Sequence, residues 1–226
     1  MERILVTGGG GFIGSHLARY LYLQGNFVRV VDVKFDNYIQ EKYCSEKLQL
    51  DLRIWENCLI ATKGMDKVYN FAANMGGIGF ITSVGAEVMH DNVLINTYML
   101  EAARQNKVKR LLFSSSACVY PTYKQTDPNV KGLREEDAIP ADPDNFYGWE
   151  KLYTEKMCEA YQRDYAMDLR VLRYHNIYGR RELTEVEGRN RQRRCVGKWL
   201  KRQTRELLRY GGMASKRGRI VILMIV

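Results

Sequence analysis

The chain is 226 residues long, 46% hydrophobic and 27% charged, and carries 35 Lys/Arg against 26 Asp/Glu, a formal net charge of +9. That length allows one large domain or a domain with an appendage, and with no apolar run of about 18 residues a membrane-spanning helix is excluded. The five cysteines, odd in number and without a CxxC pair, argue against a metal centre or a disulfide framework and fit a reducing cytoplasm.

Met1-Glu2-Arg3 leads straight into strand-like Ile4-Leu5-Val6, so no signal peptide is expected. Arg3 to Thr7 reads as a first strand. It meets the glycine run Gly8-Gly9-Gly10-Gly11-Phe12-Ile13-Gly14 and then a helical stretch from Ser15 to Gln24. Glycines there permit a tight turn and let the backbone approach a pyrophosphate, which rests on amides at the helix N-terminus. Gly8, Gly11, Phe12, Ile13 and Gly14 are therefore candidate cofactor contacts. A second strand, Phe27 to Val33, carries Asp32 near its end. An acidic residue about 20 positions beyond the glycines can accept both ribose hydroxyls and repel a 2′-phosphate. The expected cofactor is NAD in preference to NADP.

Lys47 to Leu52 is expected as a third strand, with Asp51 at its tip either near the adenine or as a plain turn carboxylate. A fourth strand runs from Val68 to Ala73 and ends in small residues, where a cofactor could pass close to Ala72. The following Asn74-Met75-Gly76-Gly77-Ile78-Gly79-Phe80 is too glycine-rich for a helix start and reads as a loop on whose backbone a substrate could lie. Ser83 to Gln105 has a long helical pattern, with Met89, Val93, Asn96, Leu100 and Ala103 on one core-facing stripe. Asn92 and Asn96 either face the cofactor or lock the helix as buried amides.

Val108 to Ser115 is expected as a fifth strand, delivering Ser114-Ser115-Ser116-Ala117-Cys118-Val119-Tyr120-Pro121 at its C-terminal end. Open α/β sheets place their chemistry there. A polar loop from Tyr123 to Asp144 would cover the site, and a helix from Phe146 to Tyr165 follows. Tyr147 and Lys151 are i and i+4 on that helix and share one face. An ammonium close to a phenol can lower its pKa and make it an acid/base. Asp168 to His175 is a sixth strand, ending in His175-Asn176-Ile177-Tyr178-Gly179. Strands alternating with helices over short connections predict an α/β fold, a Rossmann-type doubly wound parallel sheet.

The set TGGGGFIG, SSSACVYP, YGWEK and RYHNIYG resembles the extended short-chain dehydrogenase/reductase family, the NAD-dependent epimerases and dehydratases of nucleotide sugars, over residues 3 to 179. Within it, AANMGGIGF and the Cys of SSSACVYP are similar to the branch that inverts C3 and C5 of GDP-mannose; relatives that only epimerise C4 or dehydrate usually lack both. The resemblance implies roles. Tyr147, its phenolate favoured by Lys151, takes the proton of the C4 hydroxyl while hydride passes to NAD, and Ser116 holds that hydroxyl. Cys118 then acts as a base at C3 and C5, which the C4 ketone has acidified, although a free cysteine can also be an inert core thiol. Met75, Gly76 and Asn176 would hold the GDP-sugar. The family commonly pairs through helices of its Rossmann domain, so a homodimer is expected.

The pattern fails after Gly179, where the family continues into a smaller C-terminal substrate domain. Residues 180–226 hold 14 Lys/Arg and 4 Asp/Glu, and the preceding residues 21 and 22, so all excess positive charge lies in the tail. A nucleic-acid-binding arm, a membrane-surface helix and an out-of-frame sequence compete to explain it. The genetic code favours the last. Read from the last base of the Tyr210 codon, permitted third bases give Trp-Gly-Asp-Gly-Lys-Gln-Thr-Arg, and the same offset from Val186 gives Gly-Arg-Glu-Lys-Pro. Both stretches are like the family's, in its order. The expectation is a cofactor domain over residues 1–179 and a frameshifted tail over 180–226. That tail would lack the family's second acid/base, a Lys, and its apolar run Ile220 to Val226 would be exposed and aggregation-prone.

Overall fold

The computed structural model describes residues 1–35, 41–125, 133–175, 177 and 221–223. The elements are β1 (Arg3–Thr7), α1 (Phe12–Leu23), β2 (Phe27–Asp32), β3 (Glu46–Gln49), α2 (Trp55–Thr62), β4 (Lys67–Asn70), α3 (Ile78–Ser83), α4 (Gly85–Gln105), β5 (Arg110–Ser116), α5 (Thr122–Gln125), α6 (Phe146–Tyr165), β6 (Asp168–Tyr174) and β7 (Val221–Leu223). They form one sheet in the order β3-β2-β1-β4-β5-β6-β7, and every pairing is parallel. The strand order reverses between β1 and β4, which opens a crevice at the C-terminal ends of those two strands.

Side chains alternate across the sheet and feed two cores. Leu5 and Val31 point into one, with Met99, Ala102 and Ala103 of α4 and Cys158 of α6. Ile4, Val6, Val28 and Val30 point into the other, where Leu17, Ala18 and Leu21 of α1 cover them. Burial on both faces explains why β1 and β2 read as near-continuous apolar runs. The expected doubly wound α/β sheet is the one observed.

Four details differ from expectation. Helix α1 starts at Phe12 and not at Ser15, because Gly11 takes the extended backbone of an N-cap (φ −83°, ψ 176°). Helix α2 was not anticipated; it is short and buries only Cys58, Ala61 and Thr62, too few apolar positions to show a period. Helix α3 begins at Ile78 inside the stretch expected to be non-helical, with Gly77 as its N-cap. Only Gly79 then sits in the helix interior, at a cost of about 1 kcal/mol, and Ile81 offsets it by packing with Val88 and Tyr147. On α4 the buried face is rotated from the expected stripe: Val88, Asn92, Ile95, Asn96, Met99, Leu100, Ala102 and Ala103 are buried, whereas Met89 and Val93 are only half-buried. Polar Asn92 joins that face, while Asn96, Leu100 and Ala103 of the expected stripe keep their place on it.

In the C-terminal apolar run, Val221–Leu223 pairs with Leu172, Arg173 and Tyr174. Three residues of a segment expected to lie exposed thus extend the sheet past β6.

Helices α4 and α6 are clamped at their far ends by Glu101. Its carboxylate accepts from Arg104, Gln105 and Tyr161. Those bonds, Arg104 first, pull its pKa from 4.5 down to about 2. A carboxyl depressed on folding adds stability above its unfolded pKa and loses it as pH falls through the folded one. Thermal midpoints should therefore drop between pH 4.5 and 2, and Glu101→Gln should flatten that limb; an unchanged limb would mean that the clamp does not hold in solution.

Candidate functional site

The glycine loop is shaped by contacts that admit no side chain. Gly8 has φ +63°, and a Cβ there would meet the Phe71 carbonyl at 2.8 Å and the Ala72 nitrogen at 3.0 Å. The Gly11 amide donates to the Gly8 carbonyl at 3.1 Å, closing the turn that launches α1. No side chain caps that helix, which leaves its first-turn amides without a side-chain partner, the arrangement that suits an anion. Asp32, at the end of β2, accepts from the Gly10 amide at 2.9 Å. Burial raises its pKa, against the pull of the Lys34 and Gly10 amides. Loop and carboxylate therefore stand together. Thr7 ties them to β4: its hydroxyl accepts from the amides of Phe71 and Ala72, both at 3.1 Å, and donates to Asn70 Oδ1 at 2.7 Å.

Across the crevice β5 ends in Ser116. Its hydroxyl accepts from the Cys118 amide at 3.2 Å and lies near enough to the Tyr147 phenol to temper the rise in its pKa. Asn145 starts α6 by accepting from the Gly148 amide at 2.8 Å. Gly148 fits because a Cβ there would lie 2.2 Å from the Cys118 carbonyl, so helix and thiol segment touch backbone to backbone. Tyr147 packs with Ile81 and Val88, and Cys118 lies against the same cluster. The Lys151 ammonium is buried, 5.3 Å from the centre of the Tyr147 ring and 4.9 Å from that of Phe113. Ser116, Cys118, Tyr147 and Lys151 form one constellation, as expected from the sequence.

One electrostatic expectation is corrected. Burial pushes the Tyr147 phenol above its ordinary pKa, and Lys151 opposes that rise without overcoming it. The phenol is 6% exposed, and desolvation of a phenolate outweighs one nearby ammonium.

Other expected contacts fare differently. Asp51 lies beyond the end of β3, and Arg53 grips it through Nε and Nη2 at 3.0 and 2.7 Å. That bond holds its pKa below the usual range and joins it to Asp91 of α4, the geometry of a structural turn carboxylate. Met75 is exposed, and Gly76 lies under the Phe80 ring, where a Cβ would meet it at 2.8 Å. Asn176 lies outside the described residues. Among the described residues no cluster of ligating side chains could hold a metal, and no helix is long and apolar enough to cross a membrane.

Residues 4–220 match the NAD dependent epimerase/dehydratase family. The chain belongs to that family. Among curated relatives, GDP-mannose 3,5-epimerase 1 of Oryza sativa subsp. japonica is 49% identical over 178 residues, covering 78% of this chain and 47% of the relative. GDP-mannose 3,5-epimerase of Arabidopsis thaliana is 47% identical over the same shares. The chain thus spans about half the length of the curated relatives it matches. Among solved structures, UDP-glucose 4-epimerase of Thermus thermophilus in complex with NAD superimposes with TM-score 0.68 at 29% identity, covering 80% of this chain and 57% of that one.

The glycine loop fits the dinucleotide of an epimerase/dehydratase: an uncapped helix start, a backbone cradle that a Cβ would fill, and a carboxylate at the end of β2. Sequence reading missed the polar scaffold beneath. Glu150 is fully buried and accepts from Asn92 Nδ2 at 3.1 Å and Asn96 Nδ2 at 3.3 Å. Asn96 in turn accepts from Asn70 at 3.1 Å, so Thr7, Asn70, Asn96 and Glu150 form a continuous chain. The two α4 amides are thereby helix-locking groups. A signal for Glu150 was present, because the i, i+3, i+4, i+7 stripe from Tyr147 passes through Glu150, Lys151 and Thr154.

Proposed function

We propose that this chain carries the cofactor-binding and sugar-oxidising half of a nucleotide-sugar 3,5-epimerase whose substrate is GDP-mannose. One observation carries the reading: Ser116, Cys118, Tyr147 and Lys151 converge at the end of β5. First-turn amides of Gly11 to Gly14 would seat the pyrophosphate of NAD and Asp32 its adenosine ribose, with Ala72 alongside. Tyr147 and Lys151 would hold the nicotinamide ribose. When bound, NAD supplies a reversible hydride acceptor for C4 of the sugar. In its phenolate form Tyr147 would take the C4 hydroxyl proton, and the cationic Lys151 beneath offsets part of the cost that burial sets on that phenolate. Ser116, at the end of β5 beside Tyr147, would hold that hydroxyl. Cys118, on the turn packed against Gly148, would remove the protons at C3 and C5, which a neighbouring ketone renders acidic, and a proton delivered to the opposite face of the sugar would invert each centre. Met75, Gly76 and Asn176 would hold the GDP-sugar.

On this reading residues 180–226 are an out-of-frame tail, and turnover by the 226 residues given is impaired. Pairing through Rossmann-domain helices and a cytoplasmic location belong to the same proposal; none of Cys44, Cys58, Cys118 and Cys158 is in a disulfide. Titration of the full chain with NAD, followed by fluorescence, should show binding that Asp32→Asn weakens about tenfold or more. A gene with the frame restored after Gly179 should exchange deuterium into C3 and C5 of GDP-mannose. No NAD binding by either protein, or exchange at neither carbon with the frame restored, would overturn the proposal.

A further inference from the structure

Lys151 reaches its place by an unusual route. Its ammonium is 1% exposed and sits between the rings of Phe113 and Tyr147, neither of which neutralises a charge. A lone ammonium in such surroundings sheds its proton, since burial of an unpaired charge costs several kcal/mol. Among the described residues, the carboxylate within ion-pair distance of it is Glu150, with Oε1 3.5 Å from Nζ. The two are consecutive on α6, so their side chains leave the helix about 100° apart. They meet because Glu150 is drawn toward α4 by Asn92 and Asn96, which donate to its two oxygens separately. Those amides are themselves anchored. Asn92 accepts from the Asn74 amide at 2.7 Å and donates to the Asn74 carbonyl at 3.3 Å, and Asn96 is held by Asn70.

We infer that Glu150 is a positioning residue that holds Lys151 as an ammonium beneath Tyr147 and, through Asn92, ties that charge to the loop bearing Met75 and Gly76. The inference rests on the proposed site but adds a part that the Tyr-Lys pair does not contain. The titratable groups facing Lys151 are Glu150 and Tyr147 of α6 and Cys118 after β5; those facing Glu150 are Lys151 and, from α4, the uncharged amides of Asn92 and Asn96. Burial alone would lower the Lys151 pKa, yet Glu150, with Tyr147 next, carries it above its ordinary value. A purely structural Glu150 would dock α4 on α6 and leave the lysine's proton affinity alone.

The test reads Lys151 directly in the full chain labelled with ¹³C-lysine, its Cε resonance assigned by loss in Lys151→Met. In the unmutated protein the resonance should titrate above free lysine, and a midpoint below it would overturn the inference without any variant. In Glu150→Gln, which keeps shape and loses charge, the midpoint should fall by on the order of one unit or more. In Glu150→Asp, which keeps the charge, most of that fall should be recovered. A Glu150→Gln midpoint within a few tenths of the unmutated one would leave Glu150 a docking group and overturn the inference. NAD titration of Lys151→Met separates the two readings. Unchanged NAD affinity there, with the lysine shifted in Glu150→Gln, counts against the proposed cofactor site alone. Lost affinity with an unshifted lysine counts against the positioning role alone.

Discussion

Glu155→Ala is expected to destabilise the domain by about 3–5 kcal/mol, because it strands a buried guanidinium. Glu155 is 1% exposed and Arg173 2%, and they meet through two bonds, Nε to Oε1 at 2.9 Å and Nη2 to Oε2 at 2.6 Å. Fork-on-carboxylate geometry of this kind is the strong form of the ion pair. The carboxylate also accepts from the Ser115 hydroxyl. Removing it leaves Arg173 with the Tyr120 hydroxyl at 3.2 Å and the Glu135 carbonyl at 2.8 Å, neither of which carries a charge. Urea unfolding followed by circular dichroism would read the loss. The pair itself need not be a net gain, since two charges were desolvated to make it. The double substitution Glu155→Leu with Arg173→Met should therefore cost clearly less than Glu155→Ala. A loss below about 1 kcal/mol in the single variant would mean that water reaches Arg173, against the burial described.

The same pair bears on the site. Ser115 and Tyr120 flank the segment from Ser116 to Val119, and both are held by the Glu155–Arg173 unit. The thiol segment is thus suspended between a buried ion pair below and Gly148 of α6 beside it. Two neighbouring carboxylates on one helix have separate tasks. Glu155 reaches β6 and fixes the thiol segment; Glu150 reaches α4 and fixes the lysine. This division explains how α6 can carry two buried acids on different sides: each has its own cation and its own hydrogen-bond donors.

What could be read from the sequence was whatever depends on local period or local backbone. The strands β1, β2, β5 and β6 are apolar runs with turn signals at their ends, and α6 runs from Phe146 to Tyr165 as expected, started by the Asn145 cap. Ser116, Cys118, Tyr147 and Lys151 were found together because motif spacing and strand-end position pointed to one place. What stayed hidden depends on partners distant in sequence. Glu150 meets Asn92 across 58 positions and Glu155 meets Arg173 across 18; the Tyr147 stripe marks Glu150 as inward-facing, but nothing nearby names either partner. The rotation of α4 has a related origin: Asn92, off the expected stripe, scores as polar and is core because Asn74 and Glu150 satisfy it, whereas Asn96 was already on that stripe. Asp51 shows the converse. A carboxylate after β3 suits a cofactor by position, but Arg53, two residues on, occupies it.

Gly14→Ala is the second substitution with a large expected effect, and it acts on the loop rather than on any side chain. A Cβ at Gly14 would stand 2.2 Å from the Gly8 carbonyl oxygen, 2.8 Å from its carbon and 3.0 Å from Gly9 Cα, all backbone. The loop cannot yield by moving away, because Gly8 already lies against the Phe71 carbonyl and the Gly11 amide is bonded to the Gly8 carbonyl. Either α1 tilts off β1 or the turn opens. Overpacking of this kind costs about 2–3 kcal/mol, and either movement displaces the first-turn amides proposed to seat the pyrophosphate. NAD affinity should then fall about 100-fold or more, equivalent to roughly 3 kcal/mol, while far-UV circular dichroism keeps its α/β signature. Gly79→Ala is the matched control. It lies within α3 with nothing within 4 Å of an added Cβ, and alanine there should be neutral or stabilising by up to about 1 kcal/mol. If folded Gly14→Ala binds NAD as tightly as the unmutated chain, the glycine loop is only a turn, and the anion seat must be sought elsewhere along the C-terminal edge of the sheet.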